Sequence, residues 1–205
     1  MLARAEQDTA LRDAGARGVA QVEDEAPGVP LDAEYLQRLI KAVESMDLSP
    51  LLVRQKIAAM VPGSPAKPVF NEIYVSMDGL RRRLVPGVDL FANRWLFQCL
   101  TEAIDLRLLR LLPQLERDIP LSTSLNLNIA TLMSEDFLAF DRNLRQHVKK
   151  SMVIELQSID VFGNIGGFHF LREFLRERGY KLCLDGLNHL TFPLLRRDDI
   201  DVDFY

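Results

Sequence analysis

Two kinds of hydrophobic spacing divide the chain into helix-like and strand-like segments. The stretch DAEYLQRLIKAVESM places apolar side chains every three or four positions behind an Asp, which predicts a capped amphipathic helix. Two apolar runs, LLVRQKIAAMV and PVFNEIYVSM, are typical of strands, and only the turn-rich PGSPAKP separates them. A connection this short has no room for a crossover helix, so the two strands are predicted to pair antiparallel as a hairpin. A long helical pattern follows, from about Leu90 to Leu112.

From Ser122 onward, strand and helix patterns alternate regularly. The strand-like segments are STSLNLNIA, SMVIELQ, YKLCLDG and DIDVDFY. Helical patterns run from about Ser134 to Lys149 and from about Asn164 to Arg178, and Gly179 ends the second. Serial βα units with apolar strands predict a parallel sheet covered by helices. In such sheets functional side chains collect at the carboxyl ends of the strands.

Polar side chains recur near the ends of these strands, at Asn128, Glu155, Asp185 and Asp203. Each alone is typical of a cap or turn. Three successive parallel strands, however, would bring Asn128, Glu155 and Asp185 to the same rim. Close carboxylates repel one another unless a cation compensates, and an all-oxygen set suits Mg²⁺ or Mn²⁺. Glu72, on the second hairpin strand, is placed to complete such a site from the side.

Composition narrows the classes of function. The chain has 205 residues, 48% of them hydrophobic and 26% charged, which is enough for one sizeable core. Its net charge of −4 gives no positive field for a DNA or RNA polymer. Cys99 and Cys183 both lie in apolar patterns, where free thiols pack as small hydrophobes, and this favours the reducing cytoplasm.

The remaining sequence features concern the membrane and the N-terminus. No apolar segment reaches the ~20 residues that a bilayer span needs, so no membrane insertion is predicted. Residues 1–30 are rich in Ala, Gly and charged side chains and are predicted to be a disordered tail or linker. Residues 31–205 are then the folded domain.

The succession of strand motifs resembles that of the EAL domain, the cyclic di-GMP phosphodiesterase family. A glutamine strand, a glutamate strand and the runs LNLN, IEL, LDG and IDVD carry the resemblance, which covers about residues 33–205. It implies a TIM-barrel-like α/β fold, a modified β/α barrel whose first strand runs antiparallel, in agreement with the predicted hairpin. A complete eight-stranded barrel needs roughly 250 residues. We therefore expect an incomplete barrel, whose C-terminal part is missing from this chain or whose gap a partner closes.

The resemblance also implies the residues of the site. Glu72 would be the glutamate of the signature tripeptide, Asn128 in LNLNIA the asparagine of the family's N-L-S strand, and Glu155 in VIELQS the first glutamate of its L-E-I-T-E run. Asp185 would be the first aspartate of its D-D-F-G segment. These four are the family's main metal ligands. Gln55 in VRQKIA resembles the glutamine that contacts the nucleotide.

This sequence departs from the family where catalysis and ligand contacts are concerned. Gly186 stands in place of a second aspartate that helps to hold the other cation, and Asp201 in place of a lysine near the attacking water. Ser76 stands near the position of a phosphate-contacting arginine, Tyr74 replaces the signature leucine, and Ser158 replaces a glutamate. A two-metal hydrolysis uses one ion to activate water and the pair to stabilise displacement, so the first two changes affect the chemistry itself.

These departures favour a degenerate EAL-like domain without phosphodiesterase activity, acting as a cyclic di-GMP-related regulatory or protein-interaction module. Such a module would hold one divalent ion, Mg²⁺ or Mn²⁺. Its expected partners are cyclic di-GMP and an unidentified protein. A second copy of the chain, forming a homodimer, is one candidate for the protein partner. Two alternatives stay open: an active metal-dependent cyclic di-GMP phosphodiesterase that uses the retained ligands, and an unrelated TIM-type enzyme.

Overall fold

The structure is a computed structural model that describes residues 28–59, 62–113, 122–187, 189, 192 and 200–205. Its strands are β1 (Val29–Pro30), β2 (Leu52–Ala59), β3 (Lys67–Val75), β4 (Val88–Asp89), β5 (Thr123–Asn126), β6 (Val153–Gln157) and β7 (Lys181–Asp185). Its helices are α1 (Ala33–Ser45), α2 (Met77–Leu84), α3 (Arg94–Leu111), α4 (Ile129–Leu132), α5 (Glu135–Asn143), α6 (Gln146–Lys149), α7 (Ser158–Gly163) and α8 (Ile165–Arg178), with a 3₁₀ turn at Ser49–Leu51. The architecture is mixed α/β, with a central sheet and helices.

The central sheet has five strands in the order β2-β3-β5-β6-β7. Strands β2 and β3 pair antiparallel, with Gln55 opposite Glu72, so the predicted hairpin is confirmed. The other neighbours pair parallel, as the βα alternation predicted. Within the described residues β2 and β7 are the two edges of this sheet, and no strand joins them to close a barrel.

The two faces of the sheet bury different side chains because successive residues of a strand alternate between faces. The outer face carries apolar residues such as Ile154 and Leu182, which form one core with Phe168 and Leu171 of α8. The opposite face, called the inner face below, has a small apolar cluster of Phe70, Val153 and Cys183. Further along the strands the inner face becomes polar, and that half holds the candidate site.

A second core lies where helix α1 packs with α3. Asp32 caps α1, as predicted, by accepting a 2.8 Å hydrogen bond from the backbone N–H of Tyr35. Leu39 and Val43 are buried together with Leu100 and Ile104. The long predicted helix is therefore confirmed as α3, although it begins at Arg94, where Asn93 caps its first turn.

The beginning of the described chain belongs to the fold. Residues 1–27 of the expected tail lie outside the described residues, but Val29 and Pro30, which were assigned to the same tail, pair in parallel with Val88 and Asp89. The segment after β3 also forms a helix, α2, that the sequence analysis did not predict. Ser76 begins it by accepting a hydrogen bond from the backbone N–H of Gly79.

Two predicted elements differ from the structure. The helix expected over 134–149 is divided into α5 and α6, because Leu144 adopts extended backbone and turns its side chain into the core. The strand expected in DIDVDFY is reduced to a single bridge between Phe204 and Cys183. The Asp203 carboxylate, and not a backbone carbonyl of a neighbouring strand, accepts a 2.8 Å hydrogen bond from the backbone N–H of Leu182.

No helix in the described part of the chain is long and apolar enough to cross a membrane. The two cysteines differ: Cys183 is buried as expected, whereas Cys99 is exposed. Burial next to Glu155 raises the pKa of the Cys183 thiol, so the thiol stays protonated and is a poor nucleophile.

Candidate functional site

Five polar side chains lie on the inner face near the carboxyl ends of the parallel strands. The register of the sheet sets Asn126 beside Glu155, and Gln157 beside Asp185. Glu72 lies beside Ser124, two residues before Asn126 on the same face. These five residues form the inner-face cluster: Glu72, Asn126, Glu155, Gln157 and Asp185. This register places Glu72, Glu155 and Asp185 on one face of the sheet.

Glu72 is held by an amide from the neighbouring strand. The Nδ2 of Asn126 donates a 2.6 Å hydrogen bond to Glu72 Oε1. Burial raises the pKa of Glu72, and the negative charge of Asp185 raises it further, while the hydrogen bond from Asn126 opposes the shift. Only 6% of the Glu72 surface is exposed, so an uncompensated negative charge on its side chain would destabilise the folded state.

Glu155 is the most strongly perturbed acid of the cluster. Its exposure is 7%, and burial raises its pKa to about 8, with further contributions from the charges of Glu72 and Asp185. Ser124 lies close enough to lower this pKa, although no hydrogen bond of ordinary geometry joins the two side chains. In the absence of a cation, Glu155 is therefore mainly protonated at neutral pH.

Three oxygen atoms in this region lack hydrogen-bond partners among the described residues. They are Glu155 Oε1, Asn126 Oδ1 and Ser124 Oγ, and all three are buried. Buried polar atoms are normally satisfied, so each one needs an explanation such as an ion or a water. Carboxylate and amide oxygens are the donors that hard divalent cations prefer. The side chains present therefore fit such a cation in chemical type.

Asp185 ends β7 and meets the side chain of Gln157. Gln157 Nε2 donates to Asp185 Oδ2 at 2.7 Å, and Ser158 Oγ donates to the carbonyl oxygen of Gly186 at 3.1 Å. Gly186 has φ = +74°, a left-handed conformation that glycine adopts without strain. Glycine at position 186 is thus suited to its backbone here.

The structure does not bring Asn128 together with the other predicted ligands. Asn128 follows the end of β5, and its Nδ2 donates to Asp105 Oδ2 at 2.7 Å and lies 3.2 Å from Thr101 Oγ1. Its backbone N–H also donates to Asp105 Oδ2, at 2.8 Å. Asn126, two residues earlier, takes the expected position beside Glu72. The repeat in LNLN offers two asparagines of the same parity, so alternation does not separate them; β5 ends at Asn126, and Asn128 lies beyond the strand.

Asp105 was missed as a polar residue of interest because the apolar pattern of α3 gave no reason to single it out. It is buried, and this burial raises its pKa to about 7, against the hydrogen bonds from Asn128 and Thr131. Thr131 Oγ1 donates to the same Oδ2 at 3.0 Å. This network fixes the chain as it leaves β5 and enters α4.

Gln55 and Asp201 lie away from the centre of the inner-face cluster. Gln55 is exposed on edge strand β2, opposite Glu72 in the hairpin, so it borders the same face. Asp201 is exposed, and its Oδ2 accepts a 2.7 Å hydrogen bond from Arg176 of helix α8. Asp201 is therefore engaged in a surface ion pair.

Within the part of the chain that the structure describes, no three His, Cys, Asp or Glu side chains are grouped closely enough to form a recognisable metal site. The acids of the cluster interact electrostatically but do not converge on one point.

No protein-family model and no curated protein matches this chain. Solved structures do show similarity. BlrP1 from Klebsiella pneumoniae, in a manganese and cyclic di-GMP complex, is 16% identical over 69% of this chain and 42% of its own, with a TM-score of 0.38. LapD S helix-GGDEF-EAL from Vibrio cholerae, bound to c-di-GMP, is 13% identical over 95% of this chain and 48% of its own, with a TM-score of 0.49. The chain spans about half the length of the solved structures that it matches.

Proposed function

We propose that this chain is a degenerate EAL-like module that binds one divalent cation, Mg²⁺ or Mn²⁺, on the inner face of its sheet and does not hydrolyse cyclic di-GMP. The observation that carries the proposal is the set of buried, unpartnered oxygens on Glu155 and Asn126. A cation between them would satisfy both atoms and offset the charges of Glu72 and Asp185. The ligand set is thus Glu72, Asn126, Glu155 and Asp185, with Asn126 in the place that the sequence motif first gave to Asn128.

The fold proposed with this function is an incomplete version of the modified β/α barrel. The antiparallel β2–β3 hairpin followed by parallel β5, β6 and β7 supports it. The sequence motifs on these strands support cyclic di-GMP as the ligand, with Gln55 at the edge of the inner face as its contact. A cytoplasmic location and a protein partner, such as a second copy of the chain, belong to the same proposal.

The chemistry of the cluster supports binding over hydrolysis. The bound cation would supply charge compensation and a Lewis acid. The protein's own groups near Asp185 are a glycine and the amide of Gln157, neither of which can move a proton or add a carboxylate ligand. Asp201, in the position of the family's lysine, is paired with Arg176 on the surface. In this proposal, positions 186 and 201 therefore supply neither the second carboxylate nor the lysine that a two-metal hydrolysis would use.

Cation binding is tested by titrating the purified chain with Mn²⁺ and comparing two matched variants. Asn126→Ala removes an amide oxygen of the cluster and should weaken Mn²⁺ binding by about tenfold or more. Asn128→Ala removes the same amide two residues away and should leave the affinity unchanged, with circular dichroism confirming that both variants fold. Equal losses in the two variants, or no binding by the wild type, would overturn the proposal.

The alternative, an active phosphodiesterase, is favoured by one observation: Glu72, Glu155 and Asp185 are all retained on one face. Incubation of the chain with cyclic di-GMP and Mn²⁺ decides between the two. We expect no turnover above that of the Glu72→Ala variant. Turnover that Glu72→Ala abolishes would establish the enzyme. Calorimetry with cyclic di-GMP, on the wild type and Gln55→Ala, then tests whether the nucleotide binds.

A further inference from the structure

The two edges of the central sheet differ in how their backbone groups are satisfied. At β7, the N–H of Leu184 donates to the carbonyl oxygen of Phe204 at 3.0 Å, and the N–H of Leu182 donates to the Asp203 carboxylate at 2.8 Å. At β2, no strand of the described chain pairs on the side away from β3. An edge of this kind presents unpaired N–H and C=O groups to which another strand can bind. Strand β2 is therefore the open edge of the sheet.

The register of the β2–β3 hairpin identifies the open backbone groups. The N–H of Ser76 donates to the carbonyl oxygen of Leu51 at 2.9 Å, and every second pair along an antiparallel hairpin bonds in this way. Asn71 belongs to the other set of pairs: it lies opposite Lys56, and its N–H donates at 2.8 Å to the segment that leads into β5. Lys56, and Arg54 two residues earlier, therefore direct their backbone N–H and C=O groups away from β3.

The side chains of Arg54 and Lys56 give this edge a positive charge. Arg54 lies opposite Ile73, a residue of the outer core, so both cations are on the outer face. Both are exposed, and within the described part of the chain neither forms a hydrogen bond or an ion pair. Gln55, between them, lies opposite Glu72 on the inner face. The edge is thus positive on one face and borders buried acids on the other.

We propose that β2 binds an extended segment of a partner protein that carries acidic side chains at alternate positions. The segment adds a strand to the sheet: its backbone pairs with the open groups of β2, and its acids lie about 5 Å, between Cβ atoms, from Arg54 and Lys56. A shift of one residue would turn those acids to the inner face, toward Glu72 and Glu155, so the charges also fix the register.

A second copy of the chain fits this edge less well than an acidic segment does. Antiparallel pairing of two β2 strands would set the cations of one copy opposite those of the other, and like charges directly opposite one another are destabilising. The inference names the kind of protein partner for the proposed interaction module, and it does not depend on cation binding. Its test therefore uses no metal.

The test measures the binding of fluorescein-labelled peptides to the full chain by fluorescence anisotropy, with a chelator present. The probe alternates glutamate and valine and is as long as residues 52–57, the part of β2 before its bulge. The wild type should bind it about tenfold more tightly than a matched peptide of alternating lysine and valine. The glutamate peptide with N-methyl groups on the amides of its binding edge should not bind, because it cannot donate to the open carbonyl groups.

Charge reversal on β2 should exchange the two preferences. Both side chains are exposed, so the variant Arg54→Glu/Lys56→Glu keeps the core intact and should bind the lysine peptide about tenfold more tightly than the glutamate peptide. The matched control is Arg38→Glu/Lys41→Glu on α1, where two exposed cations are reversed with the same change in net charge. The control should bind the peptides as the wild type does.

Every other result overturns the proposal. If the wild type does not bind the glutamate peptide, or both reversed variants lose it equally, β2 is only a solvated edge. Equal binding of the N-methylated peptide would mean that charge attracts the peptide without adding a strand. Sedimentation of the wild type covers the remaining occupant: a dimer that the glutamate peptide dissociates would assign the edge to a second copy. None of these results bears on Mn²⁺ binding, so the proposed cation site stands or fails separately.

Discussion

Glu155 and Asp141 are both buried acids, but their surroundings differ. Asp141 receives Lys149 Nζ at 2.8 Å and Arg178 Nε at 3.2 Å, so two cations flank it. The hydroxyl of Tyr180 donates a further hydrogen bond at 3.0 Å. Glu155 has no positive side chain as a partner within the described residues, and its Oε1 accepts no hydrogen bond there.

The contrast separates a structural charge from an uncompensated one. The network around Asp141 joins α5, α6 and the end of α8, and every charge in it has an opposite charge nearby. Burial, followed by the negative charges of Glu72 and Asp185, raises the pKa of Glu155, and no positive side chain among the described residues pairs with it. Folding alone would favour an apolar residue at such a position, so an unpaired acid in a polar cluster is a candidate for function.

Removal of Asp141 is expected to have the largest effect on stability. Asp141→Ala leaves Lys149 buried without a counter-ion, and breaking a buried pair in this way costs about 3–5 kcal/mol of unfolding free energy. Urea denaturation of the wild type and the variant measures the difference. Glu135→Ala, an exposed acid of the same helix, is the control. A cost for Asp141→Ala no larger than that of the control would show that the network is not structural.

Glu155 should instead reduce stability as the pH rises. Its pKa is about 8 in the folded chain against 4.5 for an unperturbed glutamate, so the folded state keeps a proton that the unfolded chain has lost. Stability therefore falls between about pH 4.5 and pH 8 in the absence of metal. Glu155→Gln removes this dependence and should be more stable than the wild type at pH 8 by roughly 2 kcal/mol.

Denaturation with a chelator present, at intervals from pH 5 to pH 8, checks the prediction for Glu155. The interval between pH 7 and pH 8 is the most informative, because Asp105, with a pKa of about 7, contributes a change of the same sign mainly at lower pH. Added Mn²⁺ should restore stability at pH 8 in the wild type only. If the unfolding free energies of the wild type and Glu155→Gln changed with pH in the same way, Glu155 would not be an unpaired buried acid with a raised pKa.

Asp105 is an intermediate case, a buried acid satisfied by hydrogen bonds without a cation. Asp105→Asn keeps an oxygen acceptor for the donors of Asn128 and Thr131, so the expected loss is only about 1 kcal/mol. The substitution should also remove the fall in unfolding free energy with rising pH that Asp105 contributes below pH 7. Thermal unfolding at pH 5 and pH 7 measures both effects. A loss as large as that of Asp141→Ala would mean that a charged Asp105 is required.

Hydrophobic spacing was enough to predict the order of the major elements. The hairpin followed from the short link between two strand-like runs, and the parallel strands followed from the βα alternation. The rule that parallel strands end at the same edge predicted a shared rim for Asn128, Glu155 and Asp185, whereas the common face of Glu72, Glu155 and Asp185 comes from the register. These predictions needed only the type and order of the elements.

Predictions that depended on single-residue register were less successful. Asn128 was assigned because it closes the LNLN run, and the sequence does not reveal that the strand ends at Asn126. Structure was also needed to pair Gln157 with Asp185, since that contact depends on the register between β6 and β7. Asp105 could not be found from sequence because its partners belong to α4 and the residue before it, far along the chain.

An exposed ion pair completes the series with the smallest expected effect. Arg110 and Asp136 form two hydrogen bonds of 2.8 and 2.9 Å, yet 56% of the Arg110 side chain is exposed. Arg110→Gln should cost less than about 1 kcal/mol, because water already solvates both groups. The cost should shrink further in 1 M salt, which screens exposed charges over ~3 Å. Urea denaturation at low and high salt measures the cost. A salt-independent cost close to that of Asp141→Ala would mean that the exposed Asp136 pair stabilises the fold as much as the buried Asp141 network does.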